Sequence, residues 1–356
     1  MTPIEVKSKK ILDELIKRSR VHLYKPIQIA EILYRDRVYK DINLLELETY
    51  RKTSKQWRDS ISSILVGRCC TSTAKFQDHL FEETAIPPHI LNVLGEINKS
   101  KNGIVESYIY SKFNQRYSQM SESLKYCNES DKSTFQLRTF LDLFWNEPGL
   151  RRSIDKIYEI VVYSLFSSLV ESLEITIEIN LNPERSDLLK EFEDFTEKVI
   201  QLSTKQTSIK LPAKIFRVGV TNAADRGLDM WANFGLAIQI KHLSLTEELA
   251  ENIVGSVTAD RIVIVCKDTE RNIIVSLLTQ IGWKSKIQSI ITESDLINWY
   301  ERALRGNFSS VVADKVLENI NKQISLEFPP TGNSDIDDFF NTRQYLTLTD
   351  SDWILS

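Results

Sequence analysis

The stretch LDMWANFGLAIQIKHL holds Asp229, Gln239 and Lys241, an aspartate, a glutamine and a lysine within thirteen residues. A carboxylate, an amide oxygen and an ammonium brought close together can hold a hard cation and stabilise charge developing on a phosphate. The spacing allows it. Residues two apart in a strand share a face, so Ala237, Gln239 and Lys241 point one way while Ile238 and Ile240 point the other. Asn233, Phe234 and Gly235 supply turn chemistry just before that strand, which makes Leu228–Trp231 its antiparallel partner. Asp229 then returns toward the strand end that carries Gln239 and Lys241. Gly227, lacking a Cβ, leaves room for a backbone or a phosphate. The competing reading is a polar pair on a solvated sheet face.

The elements around this stretch set where such a site sits. Residues 1–150 read as mostly helical, with apolar residues at helical steps in Lys7–Ile16, after Pro26, and in Ser54–Val66. From about Arg151 the texture changes to helices alternating with strands: EITIEIN (174–180), IFRVGV (215–220), RIVIVC (261–266) and KIQSIIT (286–292). Helices are expected at Ser153–Ser172, about Asp187–Leu202, Thr246–Val254, Arg271–Ile281 and Asp295–Leu304. The pattern argues for a mixed α+β or α/β core with parallel elements over residues 151–325. Five aspartates against one arginine in the last 26 residues suggest that 326–356 form an acidic, partly ordered tail.

Composition narrows the function classes. With 42% apolar and 26% charged residues, the chain is an ordinary globular one. Residues 1–75 carry 16 Lys and Arg against 9 Asp and Glu, a net of +7, and leave −11 on the remaining 281 residues. A basic N-terminal region on an acidic chain suggests a localised anionic partner, although a solvated helical surface reads the same way. Cys69, Cys70, Cys127 and Cys266 form no CxxC pair, and none of the four histidines has ligand spacing, which argues against structural zinc. The start, MTPIEVKSKK, has no apolar core of a secretory signal. The run IVVYSLFSSLV (160–170) is too short to span a bilayer. These features point to a cytoplasmic protein with reduced thiols.

The order Asp, nine residues, Gln-x-Lys resembles the PD-(D/E)xK nuclease core, with glutamine in the acidic position. Nuclease branches of the Mrr type resemble it further, through a Gly-apolar-Asp step matched here by Gly227–Leu228–Asp229. Three longer blocks, YRKTSKQWRDSISSILVGR (50–68), SIDKIYEIVVYSLF (153–166) and residues 218–245, look like the HaeII family of type II restriction endonucleases. That resemblance implies a restriction-endonuclease-like core, a central mixed sheet flanked by helices. It also implies Mg²⁺-dependent cleavage of double-stranded DNA at the palindrome RGCGCY by a homodimer, in a bacterium or archaeon whose methyltransferase modifies the same site. Asp229 would be the principal metal ligand, helped by the Gln239 amide oxygen and the Ile240 carbonyl. Lys241 would orient the attacking water and stabilise the phosphate, or act as general base. A Mrr-like or repair nuclease of other specificity, or a non-catalytic DNA-binding protein with a degenerate core, are the rival readings.

Glutamine in place of a carboxylate leaves a negative charge to be found. Glu159, a lone acid in the apolar run KIYEIVVY, is the first candidate, against an ion pair with Lys156 or Arg152; Glu193 and Glu197 are rivals. Asp225 reads as a turn cap and His242 as structural. For DNA contact, Arg51, Lys55 and Arg58 recur at helical steps as a basic stripe, joined by Arg68, Lys75 and the Thr71–Ser72–Thr73 hydroxyls. Arg226 is placed to touch the scissile strand. Residues 1–150 are accordingly expected to recognise DNA and to dimerise.

Overall fold

The computed structural model describes residues 2–70, 77–218, 228–241, 260–268, 272, 275–276, 287–329, 333–345 and 353, with backbone alone for 241 and 333–335. The chain forms two compact units, one of Met1–Ile160 with Gly219–Asp225 and Ile320–Ser356, the other of Val161–Val218 with Arg226–Asn319. The division falls ten residues later than the change of texture near Arg151, inside a helix that continues through it.

The first unit is helical, as its periodicity predicts. Helices α1 (Pro3–Arg18), α2 (Tyr24–Val38), α3 (Thr53–Val66), α4 (Pro88–Ser100), α5 (Ile104–Glu129), α6 (Leu137–Asn146) and the start of α7 (Ile154–Ser172) build it. α1 begins at a capping box in which Thr2 and Glu5 satisfy each other's backbone N–H, with proline in the first turn. Leu12, Ile16, Ile27, Ile32, Leu33, Leu91, Leu94 and Ile109 are among the residues that fill one apolar core.

The C-terminal segment corrects the expectation of a loosely held acidic tail. Ile336, Phe339, Phe340, Tyr345 and Trp353 lie in the core of this first unit. Ile336, Phe339 and Phe340 keep helical spacing along one face of a short helix (Asn333–Thr342), whereas Asp337 and Asp338 are exposed. Counting aspartates registered the solvated face and missed the apolar one. A buried ion pair fastens the segment: Arg343 donates to both carboxylate oxygens of Glu31, at 2.9 and 3.0 Å. The same guanidinium lies 3.5 Å from the Tyr34 ring centroid, and Tyr110 donates its hydroxyl to Glu31. Nearby, Tyr345 donates to Glu106 at 2.6 Å, and Arg37 forks onto that carboxylate at 2.9 and 2.8 Å.

The second unit carries the sheets. Strands β1 (Thr176–Asn180) and β2 (Ser208–Pro212) form a separate antiparallel pair. β1 was legible in EITIEIN, whereas β2 was not. The helix expected over 187–202 is two short ones, α8 (Ser186–Glu191) and α9 (Glu193–Val199), which meet at Phe192. The main sheet has the order β3 (Ile215–Arg217), β4 (Met230–Ala232), β5 (Leu236–Lys241), β6 (Arg261–Cys266), β7 (Ile287–Thr292). β4 runs antiparallel to its neighbours β3 and β5, while β5, β6 and β7 run parallel. This is a mixed helix-and-sheet architecture. Five consecutive buried residues in β6 fit a parallel strand covered on both faces. α10 (Glu293–Arg305) starts at a Thr292–Asp295 capping box, and its Tyr300 donates to the Val161 carbonyl at 2.8 Å. α11 (Ser309–Glu327) follows, with Asn319 donating to Ser168 at 2.8 Å. The helices expected at 246–254 and 271–281 lie outside the described residues, apart from three helical positions in the second.

Candidate active site

The β4–β5 hairpin is built as its sequence predicts. Gly235 adopts a φ of +82° in the turn, a conformation that disfavours any residue with a Cβ. A Cβ there would also stand 3.0 Å from the Asp260 carboxylate. The Asn233 side chain accepts from Lys214 N–H at 2.8 Å and donates to the Pro212 carbonyl at 3.0 Å, which ties the turn to the chain entering β3. Asp229 directly precedes β4, and its backbone carbonyl accepts from Val218 N–H at 2.9 Å.

The Asp229 side chain meets β5 where β4 has run out. Met230, the first residue of β4, pairs with Ile238, so the Ile240 amide lies beyond the ladder and needs another acceptor. Asp229 Oδ2 supplies it at 2.6 Å, and the same oxygen accepts from Gln239 Nε2 at 2.7 Å. The carboxylate thus takes the place of a missing strand residue and is held in one orientation. Gln239 is 1% exposed, which excludes the solvated-face reading of this stretch.

The direction of the amide follows from chemistry. An ionised carboxylate can only accept, so the nitrogen of Gln239 faces it and the oxygen faces away. That Oε1 is buried and has no hydrogen-bond partner among the described residues. A buried acceptor left this way costs about 1–3 kcal/mol, and a cation or an ammonium relieves the cost. One carboxylate beside one buried amide oxygen is an oxygen donor set of the kind Mg²⁺ takes, since that ion uses one or two carboxylates and keeps several waters. In extended backbone a residue's carbonyl points to the same side as its N–H, so the Ile240 carbonyl lies on the Asp229 side of β5. By donor type the residues fit the ion. Among the described residues no three His, Cys, Asp or Glu side chains gather as a metal cluster. Lys241 closes β5 opposite Cys266 of β6, and its side chain lies outside the described atoms.

The three candidates for an added carboxylate have separate surroundings. Glu159 belongs to the helical unit, is 6% exposed and accepts from Lys156 Nζ at 2.8 and 2.7 Å, the ion-pair alternative left open by the sequence. Glu193 accepts from the Thr204 hydroxyl and backbone N–H at 2.6 and 2.7 Å, bonds that hold its carboxyl below the usual range. Glu197 is exposed.

The expected basic stripe on α3 is not an open surface. Arg51 and Lys55 converge on Asp78 at 2.9 and 2.7 Å, and Arg51 also reaches Glu48 at 3.2 Å. Arg58 is 1% exposed; it donates to Gln28 at 3.0 Å and Gln77 at 3.1 Å and pairs with Asp59 at 2.7 Å. Its place in a row of cations concealed a buried guanidinium whose partners come from α2 and from the segment before Asp78. Arg68 donates to the Glu327 backbone carbonyl at 2.9 Å and stands 3.7 Å from its carboxylate. Lys75, the Thr71–Ser72–Thr73 hydroxyls, Asp225, Arg226, Gly227 and His242 lie outside the described residues.

Comparison with known proteins bears on this geometry. The family described as HaeII restriction endonuclease matches residues 8–345. The chain is 62% identical over 345 residues to the type II restriction enzyme HaeII of Haemophilus aegyptius, covering 97% of this chain and 98% of that one. It is 60% identical over 351 residues to the type II restriction enzyme NgoBI of Neisseria gonorrhoeae, covering 98% and 99%. No solved structure matches. No described helix is long and apolar enough to cross a membrane.

Proposed function

The chain belongs to the HaeII restriction endonuclease family, and on that premise we propose that it is a Mg²⁺-dependent type II restriction endonuclease. Its substrate in this reading is double-stranded DNA, hydrolysed at the palindrome RGCGCY by two copies of the chain related by a two-fold axis. A methyltransferase acting on the same sequence would protect the host. The observation that carries the reading is Asp229 Oδ2 held by Gln239 Nε2 and Ile240 N–H, beside a buried Gln239 Oε1 with no partner among the described residues.

The chain's own groups divide the work as follows. Asp229 is the principal ligand, fixed by its two donors so that little reorganisation accompanies binding. Gln239 offers its amide oxygen, and the Ile240 carbonyl completes the protein's share in a PD-(D/E)xK core of the D–x9–QxK type. Because Gln239 is neutral, the site carries less negative charge than a two-carboxylate site would. When bound, Mg²⁺ polarises the phosphate and lowers the pKa of a coordinated water. Lys241 stabilises the charge that develops on the phosphate and orients the attacking water.

Incubation with plasmid DNA and Mg²⁺, followed by sequencing of the ends, tests the proposal. Discrete fragments that all end within RGCGCY, absent in EDTA, are the expected result. Cleavage at unrelated sequences would favour the Mrr-like or repair reading. Binding without cleavage, unchanged in Lys241→Ala, would leave a DNA-binding protein with a degenerate core.

A further inference from the structure

The helical unit contains a second feature that the catalytic reading does not use, a cleft of about 1140 Å³ bordered by α1, the α1–α2 connection, residues 68–70 and the Glu327–Phe328 segment. Its described lining includes eight Lys and Arg side chains against three Glu and no Asp. The volume exceeds the roughly 300–1,000 Å³ usual for a small-molecule pocket, and positive charge predominates. A wall of this kind suits an extended polyanion.

Lys25 is half-buried, and the other seven cations fall into two groups. Arg58, Arg68, Arg18 and Lys156 each face a carboxylate, with Glu14 standing 3.8 Å from Arg18. Lys7, Lys10 and Arg20 are exposed, and no carboxylate pairs with them among the described residues. On α1, Lys7, Lys10, Glu14 and Arg18 follow steps of three and four residues and share one face, while Ser8, Leu12 and Ile16 are buried. Lys9, off that face, is spent on Asp13 at 2.8 Å. The ammonium ends of Lys7 and Lys10, on long stems of a solvent-facing helix, can follow a phosphate backbone but lack the fixed fork that reads a base edge.

The cleft wall is rigid and neutral where it is aromatic. His22 lies between Tyr24 and Phe328, with ring centroids at 5.4 and 5.6 Å and interplanar angles of 25° and 21°. Burial, with the nearby Arg68 and Arg20 charges, pushes the imidazole pKa down to about 3. The cleft's positive charge is thus supplied by Lys and Arg.

We propose that this cleft is the DNA-backbone channel of the helical unit, with Lys7, Lys10 and Arg20 contacting phosphates without reading sequence. The assignment rests on the nuclease reading above and moves the backbone contacts from α3 to α1 and the α1–α2 connection. Cys69 and Cys70 line the same cleft, whereas Cys127 and Cys266 are buried, so thiol labelling reports on its occupancy.

The test uses the full-length chain without divalent cation and a duplex lacking RGCGCY. Saturating DNA should slow maleimide labelling of Cys69 and Cys70. The triple variant Lys7→Ala/Lys10→Ala/Arg20→Ala should bind the duplex about 10²-fold more weakly at 0.1 M salt, and its salt slope should flatten by about 2.7, at roughly 0.9 per lost phosphate contact. Unprotected thiols on a demonstrably bound complex would overturn the proposal, as would a triple variant with unchanged affinity and slope. A wild-type chain that binds no duplex of any sequence would overturn the nuclease reading itself, a result distinct from either.

Discussion

The β4–β5 hairpin and helix α3 present the same kind of sequence evidence, polar residues at the period of their element, and fold to opposite outcomes. In the hairpin, Gln239 is buried against Asp229 as the alternation and the turn require. At and just before α3, Arg51 and Lys55 are tied to Asp78, and Arg58 is sealed among Gln28, Gln77 and Asp59. The difference lies in where the partners come from. A hairpin brings together residues ten apart through one turn, so local chemistry fixes who meets whom. A helix face meets whatever segment packs on it, and Asp78 and Gln28 stand more than twenty residues from Arg51 and Arg58. Periodicity gives the face of a residue but not its neighbour.

The largest test of this contrast is Asp229→Asn. It should lower the rate of DNA cleavage by about 10³-fold, in line with losing a principal charge-stabilising group, and leave duplex binding unchanged within a few-fold. Asparagine keeps an acceptor for the Ile240 amide, so denaturant unfolding should show a small change beside the loss of activity. Next comes Arg343→Ala, which strands Glu31 in the core of the helical unit. Burial already pushes the Glu31 carboxyl up despite the guanidinium. Removing that partner should cost about 3–5 kcal/mol in unfolding free energy, measured by denaturant titration. A surface tail would lose almost nothing.

His22 gives a pH test. Its folded-state pKa lies at about 3 against 6.5 when unfolded, so between those values the unfolded chain takes up a proton that the native chain refuses. Its contribution is present above pH 6.5 and is lost progressively on acidification, by up to about 1.4 kcal/mol per pH unit. Relative to wild type, His22→Gln should show a flatter decline in unfolding free energy over that window. Gln239→Glu sharpens the hairpin account: a second carboxylate in place of the amide removes a donor to Asp229 and sets like charges together. Without divalent ion it should destabilise by about 1–3 kcal/mol, and Mg²⁺ should restore much of that. Lys55→Ala is the smallest effect, within about 1 kcal/mol of stability and with duplex binding unchanged within two-fold, because the side chain is engaged by Asp78.

Much of the site was legible because strand alternation and turn residues act over short distances. Asn233 to Gly235 marked the turn, and Ile238 and Ile240 marked the core-facing positions around Gln239. The double role of Asp229 was less visible, since it depends on β4 ending at Met230 while β5 continues to Lys241. In the second unit β1, β6, β7 and the helix after Thr292 were readable from period, whereas β2 was hidden in IKLP, a run too short to alternate clearly. The C-terminal segment was read from its aspartates alone, although Ile336, Phe339 and Phe340 kept the helical step that seats them in the core.

The most direct measurement of the central claim is the shift in melting temperature on adding Mg²⁺, compared between wild type and Asp229→Asn. An ion that binds only the folded chain raises its stability with concentration. The account predicts a rising melting temperature for wild type and a flat one for the variant. An equal rise in both would contradict the assignment of Asp229, with Gln239, as the metal site.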